Sequence, residues 1–312
     1  MKNTYKLTQG AILLAIFAVL LLITLYVPIL GSVLNLFLAL PFLLFGAKYD
    51  WKSTAVFTVA AILLSMILGS IFAIPLALTY GISGAVMGVM IREEKSRISI
   101  TAAGGAAFLI NLVVVYAVSV ALFNMNFIQE TFEMMRASFE KSLEILKGLG
   151  QAPDENYIKQ FREAFGMLET LVPSFFVMIS FFAVFLIQLV SFPFLKRFGI
   201  ETPKWKPFRE LVLPKSVLWY YLFTMLALMI MRPEEGTYWF WALVNLSFIL
   251  QALMVVQGIS FIFYITHAKK YPKALPIIVV VLLFLLPYML SIVRILGIID
   301  LGFDLRKRLE EK

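Results

Sequence analysis

The chain has 312 residues, of which 61% are hydrophobic and 15% charged, with one histidine, no cysteine and a net charge of +8. Its mean hydropathy is +0.91 and its pI about 9.5. A soluble domain is nearer half apolar and a quarter charged, so this composition excludes an ordinary water-soluble fold. Without cysteine there are no disulfides, thiolate metal sites or thiol nucleophiles. His267 alone cannot build a histidine metal site.

Nine apolar segments follow one another. The first, Gly10–Leu30, carries no charge and is read as a first membrane helix, not a cleaved signal. Ala11 and Ala15, four apart, form a small-residue face on it, where another helix can approach closely. Ser32–Ala47 and Ser53–Ala73 come next, then Leu76–Ile91, which holds Tyr80 and the small pair Gly84 and Gly88. Ile98–Phe123 carries Asn111. After a polar insert come Ser174–Leu195, a basic linker over 196–216, Val217–Met231, and Thr237–Thr266 with Asn245 inside it. Leu275–Phe303 is last, interrupted by Pro287 and carrying Arg294 and Asp300. The second, fourth and seventh are short, with Pro28, Pro75 and Pro233 at their borders. A run of about twenty apolar residues suits a helix crossing a bilayer, and backbone in lipid must satisfy its own hydrogen bonds. The expected fold is therefore all-α, a polytopic membrane helical bundle. Three divisions are expected: a six-span part over 1–195, the linker over 196–216, and C-terminal membrane segments with a basic tail over 217–312.

Lysines and arginines set orientation. Lys2 and Lys6, Lys48 and Lys52, Arg92 to Arg97, the 196–216 linker and Lys269 to Lys273 all fall on one side if the N-terminus is cytoplasmic. Because the positive charges border apolar runs in this way, no nucleic-acid partner is expected. Nine straight crossings would leave Arg306, Lys307 and Arg308 outside. A bend or re-entrant hairpin around Pro287 returns them, and that path is expected.

The insert over 124–173 falls outside. Ile128, Phe132, Met135, Phe139, Leu143 and Leu146 recur on one helix face, the stretch from Gly148 to Pro153 breaks the helix, and Asp154 begins a second helix as its N-cap. Tyr157, Phe161, Phe165 and Leu168 stripe that helix. Five basic against eight acidic residues leave the insert net acidic. Such an amphipathic helical hairpin can cover an outward-facing site or lie on the membrane surface.

Polar groups within membrane segments are costly and mark sites by default. They are Asn35, Asn111, Gln188, Asn245, Gln251, Gln257, Arg294 and Asp300. Tyr80, Gly84, Asn111, Asn245, Arg294 and Asp300 are the binding candidates, and Ala11 and Ala15 the partner-contact candidates. Gly84 and Gly88 equally suit plain helix packing, and Asp300 is a candidate partner for Arg294. No phosphate-binding G-x-x-x-x-G-K-[ST] loop and no H-E-x-x-H is present. The sole histidine sits beside lysines, which leaves no Ser/His/Asp arrangement. The chain is not expected to be an enzyme, and no cofactor is implied.

Four stretches together resemble the YybS family of uncharacterised bacterial membrane proteins: Leu7-Thr8-Gln9-Gly10-Ala11, Gly84 through Arg92, Gln257-Gly258, and Gly297-Ile298-Ile299-Asp300-Leu301-Gly302-Phe303-Asp304-Leu305-Arg306-Lys307. The resemblance covers essentially the whole chain. Members are often encoded beside a membrane phosphodiesterase that degrades cyclic di-AMP, which implies a scaffold or regulatory role next to such an enzyme. More distantly, residues 1–195 resemble the substrate-binding S components of energy-coupling factor transporters. That likeness implies a small-molecule pocket near the outer face and contact of the Ala11 and Ala15 face with an energising partner. The long insert and residues 217–312 have no counterpart there. The expected function is thus a small-molecule-binding transport subunit of the cell membrane without its own ATPase. The alternative is a non-catalytic membrane scaffold.

Overall fold

This computed structural model describes residues 2–151, 154–272, 274–286 and 288–310, and among them every regular element is a helix. Seven helices are long and apolar enough to cross a membrane: Thr4–Tyr26, Pro28–Lys48, Trp51–Gly69, Ile71–Arg92, Arg97–Phe123, Val172–Arg197 and Tyr238–Ala268. The chain is an all-α polytopic membrane protein. By contact it divides into two compact units, Met1–Pro153 with Phe175–Lys204, and Asp154–Ser174 with Trp205–Lys312.

The first unit opens with α1 (Lys2–Tyr26), which turns at Val27 into α2 (Pro28–Leu34). Pro28 sits in the first turn of α2, where its missing N–H is no loss. A 3₁₀ turn at Asn35–Phe37 separates α2 from α3 (Leu40–Lys48). α4 (Trp51–Gly69) is capped by Asp50, whose carboxylate accepts from the Ser53 amide. A second 3₁₀ turn, Ile71–Ala73, leads into α5 (Ile74–Arg92), with Pro75 in its first turn. The second and fourth segments are longer than expected, Pro28–Lys48 and Ile71–Arg92, with Pro28 and Pro75 near their starts, in the first turns of α2 and α5. α6 (Arg97–Phe123) is capped by Ser96 and ends at Asn124, which takes the left-handed conformation that asparagine tolerates. α7 (Phe127–Gly148) is the first amphipathic helix of the insert.

The core of this unit gathers Phe17 and Leu21 of α1, Phe42 and Leu43 of α3, Phe57 and Ala61 of α4, Met87 of α5, and Ile187 and Leu195 further on. α3 and α5 are in backbone contact. A Cβ on Gly84 would lie 2.7 Å from the Ala39 carbonyl oxygen, and one on Gly88 equally close to that of Leu43. Close approach of this kind is what small residues four apart permit between membrane helices.

The second unit begins with α8 (Glu155–Thr170), the second amphipathic helix, capped by Asp154 as its sequence predicts. α9 (Val172–Arg197) starts in this unit and runs on through the first. α10 (Lys215–Met231) is a shorter apolar helix and α11 (Tyr238–Ala268) a long one, capped by Thr237. The last segment is not one helix: α12 (Ala274–Leu285) and α13 (Tyr288–Phe303) are separate, and α14 (Leu305–Glu310) ends the described chain. Pro287, where the bend was expected, lies outside the described residues.

The path of the C-terminal segment follows from its pairings with α11. Arg294 meets Gln251, Gly297 meets Met254, Asp300 meets Gln257, and Arg306 meets Tyr264. Both series rise together, so α13 runs parallel to α11 and finishes at the end where α11 finishes. α12 starts from that same end, five residues after α11. Its 12 residues span about 18 Å, short of a roughly 30 Å hydrocarbon core. α12 and α13 thus enter and return, and Arg306 comes back beside the end of α11.

Candidate functional site

Tyr80 is buried in α5, with its ring edge-on to Phe108 of α6 at 5.6 Å. Its hydroxyl neighbours the amide of Asn35, which opens the 3₁₀ turn between α2 and α3. The buried Oδ1 of Asn35 has no hydrogen-bond partner among the described residues. Gly84, one turn beyond Tyr80, rests on the backbone of Ala39. Asn111, one turn beyond Phe108, turns Nδ2 back to the Ala107 carbonyl at 2.7 Å. Tyr80, Gly84 and Asn111 therefore share the interior of the first unit, and Asn35 completes the group.

Asn245 and Arg294 do other work, in the second unit. Asn245 Oδ1 accepts from the Ser174 amide at 3.0 Å and the Ser174 hydroxyl at 2.7 Å. Its Nδ2 donates to the Thr170 and Trp241 carbonyls at 2.8 and 2.9 Å. One side chain so satisfies an orphan carbonyl where α8 ends and an orphan amide where α9 begins. Every polar atom of the amide is used, and it pins the α8–α9 junction to α11. Arg294 donates to Gln251 Oε1 and, at 3.3 Å, to Ser291 Oγ. Gln251 in turn donates to Ser247 at 2.9 Å.

Asp300 is not the partner of Arg294. Its side chain, 2% exposed, takes Arg306 at 2.9 Å and the Gln257 amide at 2.5 Å. Asp304 makes this possible: it adopts φ of 49°, ends α13 and folds Arg306 back over the five intervening positions. The guanidinium also donates to the Arg209 carbonyl at 2.7 Å and to Ser260 Oγ at 3.1 Å, and sits 5.3 Å from the centre of the Tyr264 ring. Ser260 Oγ lies 2.8 Å from the carbonyls of Phe208 and Leu211, and Gln257 Oε1 accepts from the Leu213 amide at 2.9 Å. Lys215 closes the outer edge on Asp304 at 2.5 Å, and holds that carboxyl below the usual carboxylate range. The network ties the 208–213 segment onto α11 and α13. Among the described residues these donors and acceptors satisfy one another.

Ala11 and Ala15 are exposed on α1. Ala11 lines a groove of about 490 Å³ between α1 and α4, whose floor includes Gly10, Phe45 and Phe57 and whose rim holds Lys6, Lys52 and Ser53. Lys6 also pairs with Asp50 at 3.1 Å. Hydrogen bonds from the Ser53 side chain and amide, and then from Lys6, hold the Asp50 carboxyl well below its ordinary range. A separate polar cleft of about 570 Å³ is lined by Arg92, Glu94, Lys95, Glu201 and Thr202.

The sequence marks Asn35 and Gln257 as polar groups within membrane segments but singles out Asn111 and Asn245, which sit in well-formed spans, and it does not mark Ser174. A polar residue at the interruption of a short apolar run is the signal that marks Asn35. Ser174 opens a span and carries no such signal, because its partner stands 71 positions away.

A family model described as "Predicted membrane protein (DUF2232)" matches residues 15–301. The chain is also 32% identical over 311 residues to "Uncharacterized protein YybS" of Bacillus subtilis (strain 168), covering 99% of this chain and all of that one. No solved structure matches. The chain belongs to the DUF2232 family of membrane proteins, with the Bacillus YybS protein among its relatives.

Proposed function

We propose that this protein is a non-catalytic membrane subunit that binds a small polar molecule inside its first unit, at Asn35 and Tyr80. Asn35 carries the reading: an amide atom buried among helices without a partner, beside a tyrosine hydroxyl, at the point where a membrane helix is interrupted. A buried polar group left unpaired costs about 1–3 kcal/mol, and interrupted helices are where membrane transporters commonly build their sites. The ligand that fits is one offering a hydrogen-bonding group to that amide. The six spans of residues 1–197 accord with the S-component likeness, so any energy for transport would come from a partner. The test is native mass spectrometry of protein extracted gently from its membrane. Wild type should carry a small molecule that Asn35→Leu and Tyr80→Phe lose while keeping the same elution volume. Identical spectra for all three would end this reading.

A second reading has its own support. Ala11 and Ala15 stay exposed on α1, as a contact face for a partner protein requires. It makes the chain a membrane scaffold or regulator, in line with the neighbouring phosphodiesterase that the family resemblance implies.

In either case the N-terminus is taken as cytoplasmic in a cell membrane, from the distribution of Lys and Arg. Ser138→Cys, in the acidic insert, should label with an impermeant thiol reagent on intact cells, and Lys204→Cys should not. The reverse pattern would invert the topology.

A further inference from the structure

The groove between α1 and α4 has the form of a lipid site. Its apolar wall runs from Leu7 to Leu14 on α1 and from Val56 to Ala60 on α4. From Lys6 to Leu14 the helix rises about 12 Å, close to the depth of one leaflet, roughly half of a 30 Å core. The polar groups gather at one end. Lys6 and Ser53 stand at the rim with Lys52, whose ammonium sits over the Trp51 ring at 5.9 Å. Trp51 itself is exposed, as tryptophans at the membrane–water boundary are. No acidic residue lines the groove, and Asp50 nearby is engaged with Lys6 and Ser53.

We propose that this groove holds one anionic phospholipid of the leaflet on the lysine-bearing side, its acyl chain along Gly10 and Ala11 and its phosphate between Lys6 and Lys52. A partner helix would also cover Ala11, but an apolar helix offers nothing to the Lys52 ammonium at the groove mouth, beside a Lys6 already paired with Asp50. A molecule with a negative head and an apolar tail matches both ends at once. Basic pockets between membrane helices recognise anionic head groups in this way. Gly10 keeps the floor open: a Cβ there would touch the Phe45 ring at 3.4 Å. The site is separate from Asn35 and Tyr80 and stands whether or not they bind a ligand.

The test uses the full chain in detergent with phosphatidylglycerol or phosphatidylcholine added, read by native mass spectrometry and by thermal stability. Wild type should retain phosphatidylglycerol in preference to phosphatidylcholine and gain thermal stability from it. Lys52→Gln, which leaves the Lys6–Asp50 pair intact, should weaken that preference about five-fold, the share of one lysine near a charged surface. Ala11→Phe fills the groove and should abolish retention with the elution profile unchanged. Equal retention of the two lipids by wild type would overturn the proposal, as would undiminished retention by Ala11→Phe. A membrane protein that co-purifies with wild type and is lost with Ala11→Phe, while lipid retention stays as it was, would assign the groove to a partner helix instead. If Ala11→Phe does not fold, the Lys52→Gln comparison decides alone.

Discussion

Arg306→Met should destabilise the second unit by about 3–5 kcal/mol, the range found when one member of a buried ion pair is removed. The substitution keeps much of the side-chain volume and deletes the charge that Asp300 faces at 2.9 Å. The carboxylate, 2% exposed, would keep only the Gln257 amide. The Arg209 carbonyl and Ser260 would lose their donor in the same step. Because these contacts secure the 208–213 segment, damage should appear there first. Limited proteolysis should cut between Phe208 and Leu213 in the variant and not in wild type, and the thermal midpoint in detergent should fall. The double change Asp300→Leu with Arg306→Met removes both charges, and apolar replacement of a buried pair is often neutral or better. It should recover much of the midpoint but not the protection of 208–213, whose Arg209 carbonyl still lacks the guanidinium. If Arg306→Met melts like wild type, the network only positions the segment and contributes little to stability.

Membrane character, helix spans and the amphipathic insert were legible in the sequence because each rests on a periodic signal. Hydropathy over about twenty residues marks a span wherever it lies. The Asp154 cap and the stripe holding Phe161 and Phe165 could be read because caps and stripes are local; those two rings do meet on α8, tilted to each other with their centres 4.8 Å apart. The return of the C-terminal tail was legible for another reason: three positive charges had to go somewhere the other loops allowed. What could not be read was pairing across the fold. Asp300 is a candidate partner for Arg294 in the sequence only because both lie in one segment, although six apart is not a clean helix-face spacing. Its real partner is also six away, but past a left-handed residue at Asp304 that no pattern announces. Asn245 reads as a binding candidate because it is a costly polar group in a well-formed span. Its use is at Thr170 and Ser174, more than seventy positions distant. Small residues were ambiguous in the same way. Gly84 could have fronted a ligand or a helix, and only the Ala39 backbone at 2.7 Å tells which neighbour it has.

Gly297→Leu should separate α13 from α11. A Cβ at Gly297 would overlap the Met254 carbonyl oxygen, and one at Gly258 would overlap that of Val293. The obstacle in both cases is backbone, which cannot rotate aside as a side chain can. Overpacking a core costs about 1–3 kcal/mol where neighbours give way; here the helices must part. Even Gly297→Ala should therefore lower the thermal midpoint, although alanine is the better helix former by about 1 kcal/mol. Gly302→Ala is the control on the same helix. Its Cβ would meet only the Leu218 side chain, at 3.7 Å, so propensity should prevail and the midpoint should hold or rise. Parting α13 from α11 also carries Asp300 and Arg306 away from Gln257 and Ser260. Gly297→Leu and Arg306→Met should then be non-additive, because both release the same segment. Hydrogen exchange over 208–213 should be fast in either variant and no faster in the two combined. Additive losses would mean that the glycine contact and the ion-pair network hold different parts of this unit. A Gly297→Leu protein as stable as wild type would mean that α13 does not lie on α11 at all, and the re-entrant path of the C-terminal segment would fall with that contact.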